Sequence, residues 1–554
     1  MIFGKKTATL SAMNAPESAA RTYVFVLPRI PWPYYAVTLF MGAVAALDLN
    51  VPTAALFVIS GVVFYALLQK ALVAPVYGLI ALACFIPYSK AVAGNLGGLI
   101  PGMNYTTVLT LITLVGFYVN AKKIQHQEAL PLEASFRRLL LFFCVIVAVA
   151  VLHTEFSDGS SSIFAALVSF KRWFDPLMVF FLTSYLVQEE EDAKKILYMM
   201  AFTLVIIGIG TYWQRHELDN RSHYVRLTGI AGEANTMGAF YANYVFVILA
   251  YFFMKGMKTV RRGFFFVGIV GCFLGLFATQ SRGDALGVVG GMLVFFFLRN
   301  KLQFLALVIL LTFVAYNPQY LPGGLKQRVQ RTVQHQSSDG LEGKTQLDAS
   351  TRTRLALWKG AVRMIEANPI LGVGYKMFPV YIYNFVDHND ETAGLELKGR
   401  DGHNAYLMIG AEMGLPALLT FLAILVFMLR IVWRSYKLNL DRYWKTISVV
   451  ALCSVTSLII TNMFGSRVFS LVLTGYLWML LAILLKMPRW AAQRAAGQSR
   501  ASDAPEPAII QPRPAFSRSW SGQSREIVRE IAVGNGREIV FERTAGTEKW
   551  TRNR

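Results

Sequence analysis

Charged residues are scarce in this chain. Asp, Glu, Lys and Arg make up 16% of its 554 residues, against about a quarter in a soluble protein, so a fully water-exposed surface is excluded. Acidic residues are scarcer than basic ones, 33 against 54, giving a formal net charge of +21. There are only four cysteines, and Cys84, Cys144, Cys272 and Cys453 all lie inside apolar runs. They read as small buried hydrophobes, not as a disulfide framework or a zinc site. No basic stripe with interleaved aromatics occurs in a foldable polar segment, so the positive charge does not point to nucleic acid. No cleavable signal peptide is expected: the first residues are polar and basic, and the first apolar run leads directly into a second.

Apolar residues are what the chain has in surplus, 55% of the total with mean hydropathy +0.44. They fall in runs of about 17–20 residues, the length that crosses a bilayer core as a helix. The expected fold is an all-α polytopic membrane protein with about 12–14 transmembrane helices. Basic residues recur on alternate short connections: Lys122–Lys123 with Arg137–Arg138, Lys194–Lys195, Lys255 to Arg262, Arg299 to Lys301, and Arg434 to Lys445. The positive-inside rule makes those connections cytoplasmic and, with an even number of crossings, both termini as well. The chain then divides into a cytoplasmic arm, 1–32, and N-terminal transmembrane helices, 33–199. A second transmembrane group, 200–487, carries the long outer loop 318–402, and a basic cytoplasmic tail, 488–554, follows. The tail's composition predicts that it is largely disordered, apart from a hairpin signal at Asn535-Gly536 between two Arg-Glu-Ile-Val segments. Inside the outer loop, Ala349 to Ala367 has apolar residues at helical spacing (Leu355, Leu357, Trp358, Val362, Ile365), which predicts an amphipathic helix ended by Asn368-Pro369.

Charge at the edge of a membrane span is costly and marks a functional candidate. Hydropathy places three such residues at one depth on the outer side: Arg226, Arg282 in a tight turn between two apolar runs, and His403 at the start of the run after the long loop. Arginine holds phosphate oxygens as a bidentate fork and keeps its charge, so two arginines suit a diphosphate. A histidine near neutral pKa can take a proton from a sugar hydroxyl. Diphosphate leaving group, arginines and base together describe glycosyl transfer from a polyprenyl diphosphate, the arginines acting on charge that develops as the sugar–phosphate bond breaks.

Each residue also has a plainer reading. Arg226 and Arg282 could be loop arginines reaching lipid headgroups, and Asn404 a helix cap. Glu412 lies about two and a half turns beyond His403, and fits a tie between loop and bundle as well as a catalytic group. Lys171-Arg172 either face a cavity or break their apolar run in two. Arg354 and Lys359 read as a solvated helix face, with donor phosphate contact as the alternative. The polar run Asp387 to Glu391 invites a metal reading, yet neither an early outer Asp-x-Asp nor a His-Glu-x-x-His accompanies it, and no metal is assigned.

Several segments taken in order resemble the O-antigen ligase/Wzy-type polymerase family. They are Arg226-Leu-Thr-Gly with Glu233-Ala-Asn235, Ser281-Arg282-Gly283, Arg354-Leu-Ala-Leu-Trp358, Asn368-Pro369-Ile-Leu-Gly372-Val-Gly374, and His403-Asn404 with Glu412-Met-Gly414. The resemblance covers roughly residues 200–480. It implies a fold similar to C-type glycosyltransferases and a cofactor- and metal-independent inverting transfer at the periplasmic face of the bacterial inner membrane. The donor it implies is an undecaprenyl-diphosphate-linked glycan, and the acceptor a hydroxyl of lipid A-core or of a growing polysaccharide. Arg226 and Arg282 match the positions on the diphosphate and His403 the position near the acceptor, with Asn235, Arg354, Asn404 and Glu412 as supporting candidates. The same motifs serve protein O-oligosaccharyltransferases, so the acceptor stays open. A polysaccharide flippase is the competing class. It fits less well, because the polar signals gather at one face and the two halves of the chain are dissimilar.

Overall fold

The computed structural model describes residues 27–46, 65–89, 104–122, 124, 128–158, 163–221, 226–320, 333–335, 345–347, 349–388, 395–438, 440–466, 470–502, 527–534, 537–544 and 551–553. Most of the expected N-terminal arm 1–32 lies outside these, as do residues 47–64 and 90–103 of the N-terminal transmembrane group. The chain forms two compact units, Met1–Arg494 and Ala495–Arg554.

The first unit is an all-α polytopic membrane bundle. Its helices are α1 (Trp32–Ala46), α2 (65–73), α3 (Val76–Phe85), α4 (Tyr105–Val119), α5 (Pro131–Asp158), α6 (Ile163–Leu186), α7 (Glu190–Arg221) and α8 (Ala234–Phe252). They continue as α9 (Thr259–Ala278), α10 (Arg282–Arg299), α11 (Lys301–Tyr316), α12 (Ala349–Ala367), α13 (Ala405–Leu438), α14 (Arg442–Thr461), α15 (Leu471–Leu484) and α16 (Met487–Ser502). Among the described residues, six helices are long and apolar enough to cross a membrane, and α4 and α11 are shorter apolar helices. Short polar caps set the boundaries. Asn104 accepts a bond from the Thr107 amide at 2.8 Å, and Asp441 one from the Trp444 amide at 2.9 Å, satisfying amides that the first helical turn leaves without partners. Lys171-Arg172 do not break their run. α6 is continuous through them, because Lys171 Nζ meets Asp175 one turn on at 2.5 Å and Thr107 Oγ1 of α4 at 2.8 Å.

Glycine seams decide how closely the site-bearing helices approach. A Cβ on Gly283 would stand 2.5 Å from Phe464 Cβ, and one on Gly287 2.5 Å from Thr461 Cγ2. α10 and α14 therefore touch along the glycine face Gly283, Gly287 and Gly291, the small-residue contact that lets helices pack in lipid without a hydrophobic driving force. This seam brings Arg282, at the start of α10, beside the end of α14.

The long loop packs as a small apolar layer of its own. α12 buries Ala356, Leu357, Ala361 and Met364 against Phe378, Ile382, Val386, Leu397, Met408 and Ala411. The predicted helix bounds are met, and its apolar stripe is divided: Leu357 is buried in this layer, whereas Leu355 and Val362 are exposed. Within the loop, β1 (Val333–His335) and β2 (Thr345–Leu347) pair antiparallel.

At the other end of the bundle, acids on helix starts hold basic residues. Glu190 pairs with Lys194 at 2.7 Å and with Arg494 at 2.5 Å, while Asp441 also meets Arg494, at 3.0 Å. Trp490 donates to the Gln188 carbonyl at 2.9 Å. The start of α16 is thus fastened to the bundle, so the compact unit runs to Arg494 and past the expected tail boundary at 488.

The second unit contains β3 (Ile527–Gly534) and β4 (Arg537–Thr544), paired antiparallel with Gly534 opposite Arg537, and β5 (Thr551–Asn553) paired to β4. These two strands flank the Asn535-Gly536 signal, which itself lies outside the described residues.

Candidate active site at one end of the bundle

Asn404 starts α13 as its cap, its Oδ1 accepting from the Tyr406 amide at 3.0 Å and the Leu407 amide at 3.2 Å. The preceding residue, His403, must therefore turn sharply into the helix. Its φ is +50°, the left-handed region that non-glycine residues seldom occupy. Three contacts hold that turn. Asp401 Oδ1 accepts the His403 amide at 2.7 Å and the Ser466 hydroxyl at 2.6 Å. Trp358 of α12 donates its indole N–H to the Gly402 carbonyl at 2.8 Å. The Ala405 amide bonds the Asn462 carbonyl at the end of α14 at 2.9 Å. The half-buried His403 is thus bracketed by the long loop on one side and the α14–α15 connection on the other.

Arg226 and Asn235, chosen separately from the sequence, are bonded to each other, Arg226 Nη2 donating to Asn235 Oδ1. Arg226 Nε also donates to the Thr279 carbonyl at 2.8 Å, and the Leu227 amide to Ala278 at 3.1 Å. These bonds tie the segment before α8 to the end of α9. The α9–α10 turn passes through Gln280, at φ +52°, and reaches Arg282, the first residue of α10 behind its cap Ser281. A cationic side chain at a helix N-terminus, where free amides and the helix dipole also favour negative charge, is a favourable seat for an anion.

Arg282 faces a cavity of about 250 Å³ lined by Gly283, Leu286, Thr351, Arg354, Leu355, Trp358 and Phe464. Arg354 is therefore not on a solvated face. It is half-buried and shares this cavity with Arg282, whereas Lys359 on the same helix is exposed. The walls are of two kinds, arginines and apolar side chains, so the space suits a ligand with an anionic head and a hydrocarbon body. Trp358 joins this cavity to the His403 turn, because it lines the first and bonds the residue before the second.

Glu412 lies elsewhere. It is buried on α13 and accepts the Phe378 amide at 3.4 Å. Around it the Asn368-Pro369 loop docks into a break in α13 at Gly414, where φ is +79°. The Val373 amide bonds Ala411 O at 2.8 Å, Gly374 bonds Glu412 O at 3.1 Å, and Leu415 bonds Pro369 O at 2.7 Å. A Cβ on Gly372 would stand 2.5 Å from the Met413 nitrogen, so only glycine allows this approach. Of the two readings of Glu412, these contacts are those of the tie between loop and bundle. The same loop carries Lys376, at φ +63°, whose ammonium is drawn below its usual range by burial and then by the Arg172 charge. Burial likewise pushes the Tyr375 hydroxyl up to about 12.

Asp387, from the run that invited a metal reading, is committed to Arg363 through two bonds of 2.8 Å, and His388 Nε2 meets the Tyr383 carbonyl at 3.1 Å. Residues 389–391 lie outside the described ones.

Asp401, Ser466 and Phe464 were missed from the sequence. Nothing local marks them, since each matters through a contact with a distant segment. Thr351 and the cavity face of α12 did carry a signal: Thr351, Arg354, Leu355 and Trp358 share one helical stripe.

Residues 267–422 match the family described as O-Antigen ligase. The matched stretch takes in Arg282, Arg354, His403 and Glu412, while Arg226 and Asn235 precede it. No curated protein matches the chain. The family match supports a membrane glycosyltransferase of ligase or polymerase type.

Proposed function

We propose, from the O-antigen ligase match as premise, that this chain transfers a glycan from an undecaprenyl-diphosphate carrier to a hydroxyl acceptor at the periplasmic face of the inner membrane. The observation that carries the reading is the cavity in which Arg282 and Arg354 sit among Leu286, Leu355 and Phe464, joined through Trp358 to the turn that holds His403. The arginines bind the donor diphosphate, and the apolar wall takes the first part of the carrier chain. His403 accepts the proton of the acceptor hydroxyl as its oxygen bonds to the sugar's anomeric carbon. The bond from that carbon to the diphosphate oxygen breaks, and the leaving diphosphate carries away the electron pair. Arginines aimed at that oxygen stabilise the transition state more than the ground state. Attack from the side opposite the leaving group inverts the anomeric centre, and no step calls for a metal. Arg226 acts at one remove, fixing the α9–α10 turn from which Arg282 projects. The acceptor we favour is lipid A-core or a growing polysaccharide chain.

The test is complementation of a strain lacking the gene with wild type and with His403→Ala, at equal membrane levels, with glycans resolved on gels. Loss of the proton acceptor is expected to lower transfer by about 10²–10⁴-fold. Polymer stranded on carrier lipid then identifies a ligase, and single repeat units a polymerase. Full complementation by His403→Ala would overturn the assignment and bring a flippase forward.

A further inference from the structure

At the end of the bundle remote from His403, one carboxylate serves three cations. Glu133, fully buried at the start of α5, lies 2.6 Å from Arg137 Nη2, 3.3 Å from Lys486 Nζ and 3.2 Å from Arg489 Nη2. The three basic side chains are themselves only 13%, 6% and 13% exposed. Glu133 balances one positive charge, so among these four described side chains a formal surplus of two remains in a place largely withdrawn from water. Net buried charge of this kind is costly unless a counter-charge arrives.

Lys486 and Arg137 also leave donors incompletely used, whereas Arg489 bonds the Glu128 carbonyl as well as Glu133. Lys486 has three N–H donors, and its contact with Glu133 is long. Arg137 bonds Ser184 Oγ at 3.0 Å and lies over the Tyr185 ring at 4.3 Å, yet its buried Nε has no hydrogen-bond partner among the described residues. Beside the cluster, a cleft between the start of α5, the end of α13 and the end of α15 is lined by Leu132, Ile431 and Leu484, with Arg434 at its edge. Arg434 is exposed. Glu133 and Arg434 lie near the ends of two membrane-spanning helices, so the cluster stands at the depth where lipid headgroups begin.

We propose that this cluster binds the phosphodiester headgroup of an anionic phospholipid, with the acyl chains running along the apolar wall beside it. The phosphate supplies the missing negative charge to Lys486, Arg489 and Arg434, and Glu133 keeps Arg137. Basic pockets between membrane helices recognise anionic headgroups by this chemistry.

The experiment is thermal unfolding of the full chain in neutral detergent, titrated with phosphatidylglycerol, phosphatidylcholine or inorganic phosphate, with native mass spectrometry for retained lipid. Phosphatidylglycerol is expected to raise Tm saturably and to be retained, and phosphatidylcholine to do neither. Lys486→Met with Arg489→Gln removes the two surplus charges and leaves Glu133 and Arg137 balanced, so this variant is expected to fold and to bind phosphatidylglycerol roughly tenfold or more weakly. Arg434→Gln, which leaves the Glu133 contacts untouched, is expected to weaken binding to a lesser degree. An equal response to both lipids, or to inorganic phosphate alone, overturns the proposal. So does an unaltered response in both variants. Glycan transfer is not the readout, so the outcome is independent of the proposed activity.

Discussion

At one end of the bundle Glu133, Glu190 and Asp441 each hold a basic side chain within 3.3 Å. At the other end, the left-handed positions include Gln280, Lys376 and His403, the full set of non-glycine residues with positive φ among those described. Each costs about 1–3 kcal/mol and persists only where surrounding contacts force it. Strain of this sort accumulates where geometry serves chemistry, and relaxed pairing where it serves stability. The two ends thus divide the work. One fastens helices and the start of α16 together. The other places strained turns beside the Arg282 cavity and at His403, which Trp358 connects.

The comparison breaks most directly at Glu133. Glu133→Gln leaves three buried cations without their carboxylate, and is expected to destabilise the protein by about 3–5 kcal/mol. Thermal unfolding in detergent would read this as a large fall in Tm, while transfer per folded molecule stays near wild type. Arg282→Ala should show the reverse pattern. Transfer falls by about 10²–10³-fold, with Tm nearly unmoved. Arg282→Lys should not restore it, since a point charge cannot replace a planar fork on a diphosphate. If Arg282→Ala unfolds the protein, or Glu133→Gln abolishes transfer without changing Tm, the division between the ends is wrong.

Asp401 sharpens the picture at the site. Its Oδ1 receives both the His403 amide and the Ser466 hydroxyl, so under the proposed mechanism it is a positioning residue. Asp401→Ala should lower kcat by about tenfold, by misplacing the imidazole. Asp401→Asn retains the accepting oxygen and should recover most of the rate, with the pH profile unshifted. A pH profile that moves in the asparagine variant would mean that the Asp401 charge, and not its geometry, is what matters.

Much of the fold was legible because it is written in local periodicity. The apolar runs mark α5, α7, α9, α13 and α14, and the spacing of α12 gives its limits to the residue. Arg226, Arg282 and His403 could be selected because charge beside an apolar run is itself conspicuous. What escaped is long-range. Trp358 meets Gly402 across 44 positions, Asp401 meets Ser466 across 65, and Glu133 meets Lys486 across 353. No periodicity encodes such pairs. The division of the α12 stripe escaped for a related reason: spacing does not tell Leu357, buried in the layer, from Leu355, which lines the cavity.

The smallest expected effect lies on the long loop, where charge is paired but exposed. Arg363 gives two hydrogen bonds of 2.8 Å to Asp387, and those bonds hold the Asp387 carboxyl below its usual range. The side chains are 44% and 47% exposed, so water and salt screen the pair, unlike the one at Glu133. A carboxylate whose folded pKa is depressed stabilises the fold fully above the unfolded value, about 3.9. That contribution disappears as pH falls through the folded value. Wild type and Asp387→Asn should therefore differ slightly in Tm at neutral pH, keep that difference down to about pH 5, and converge below the depressed pKa. About 1 M salt should erase the difference at neutral pH as well. A Tm gap that survives such salt, or that rivals the loss in Glu133→Gln, would place this pair with the stabilising networks of the opposite end. The long loop would then have to be counted as a rigid wall of the candidate site, and not as a layer held chiefly by its apolar face.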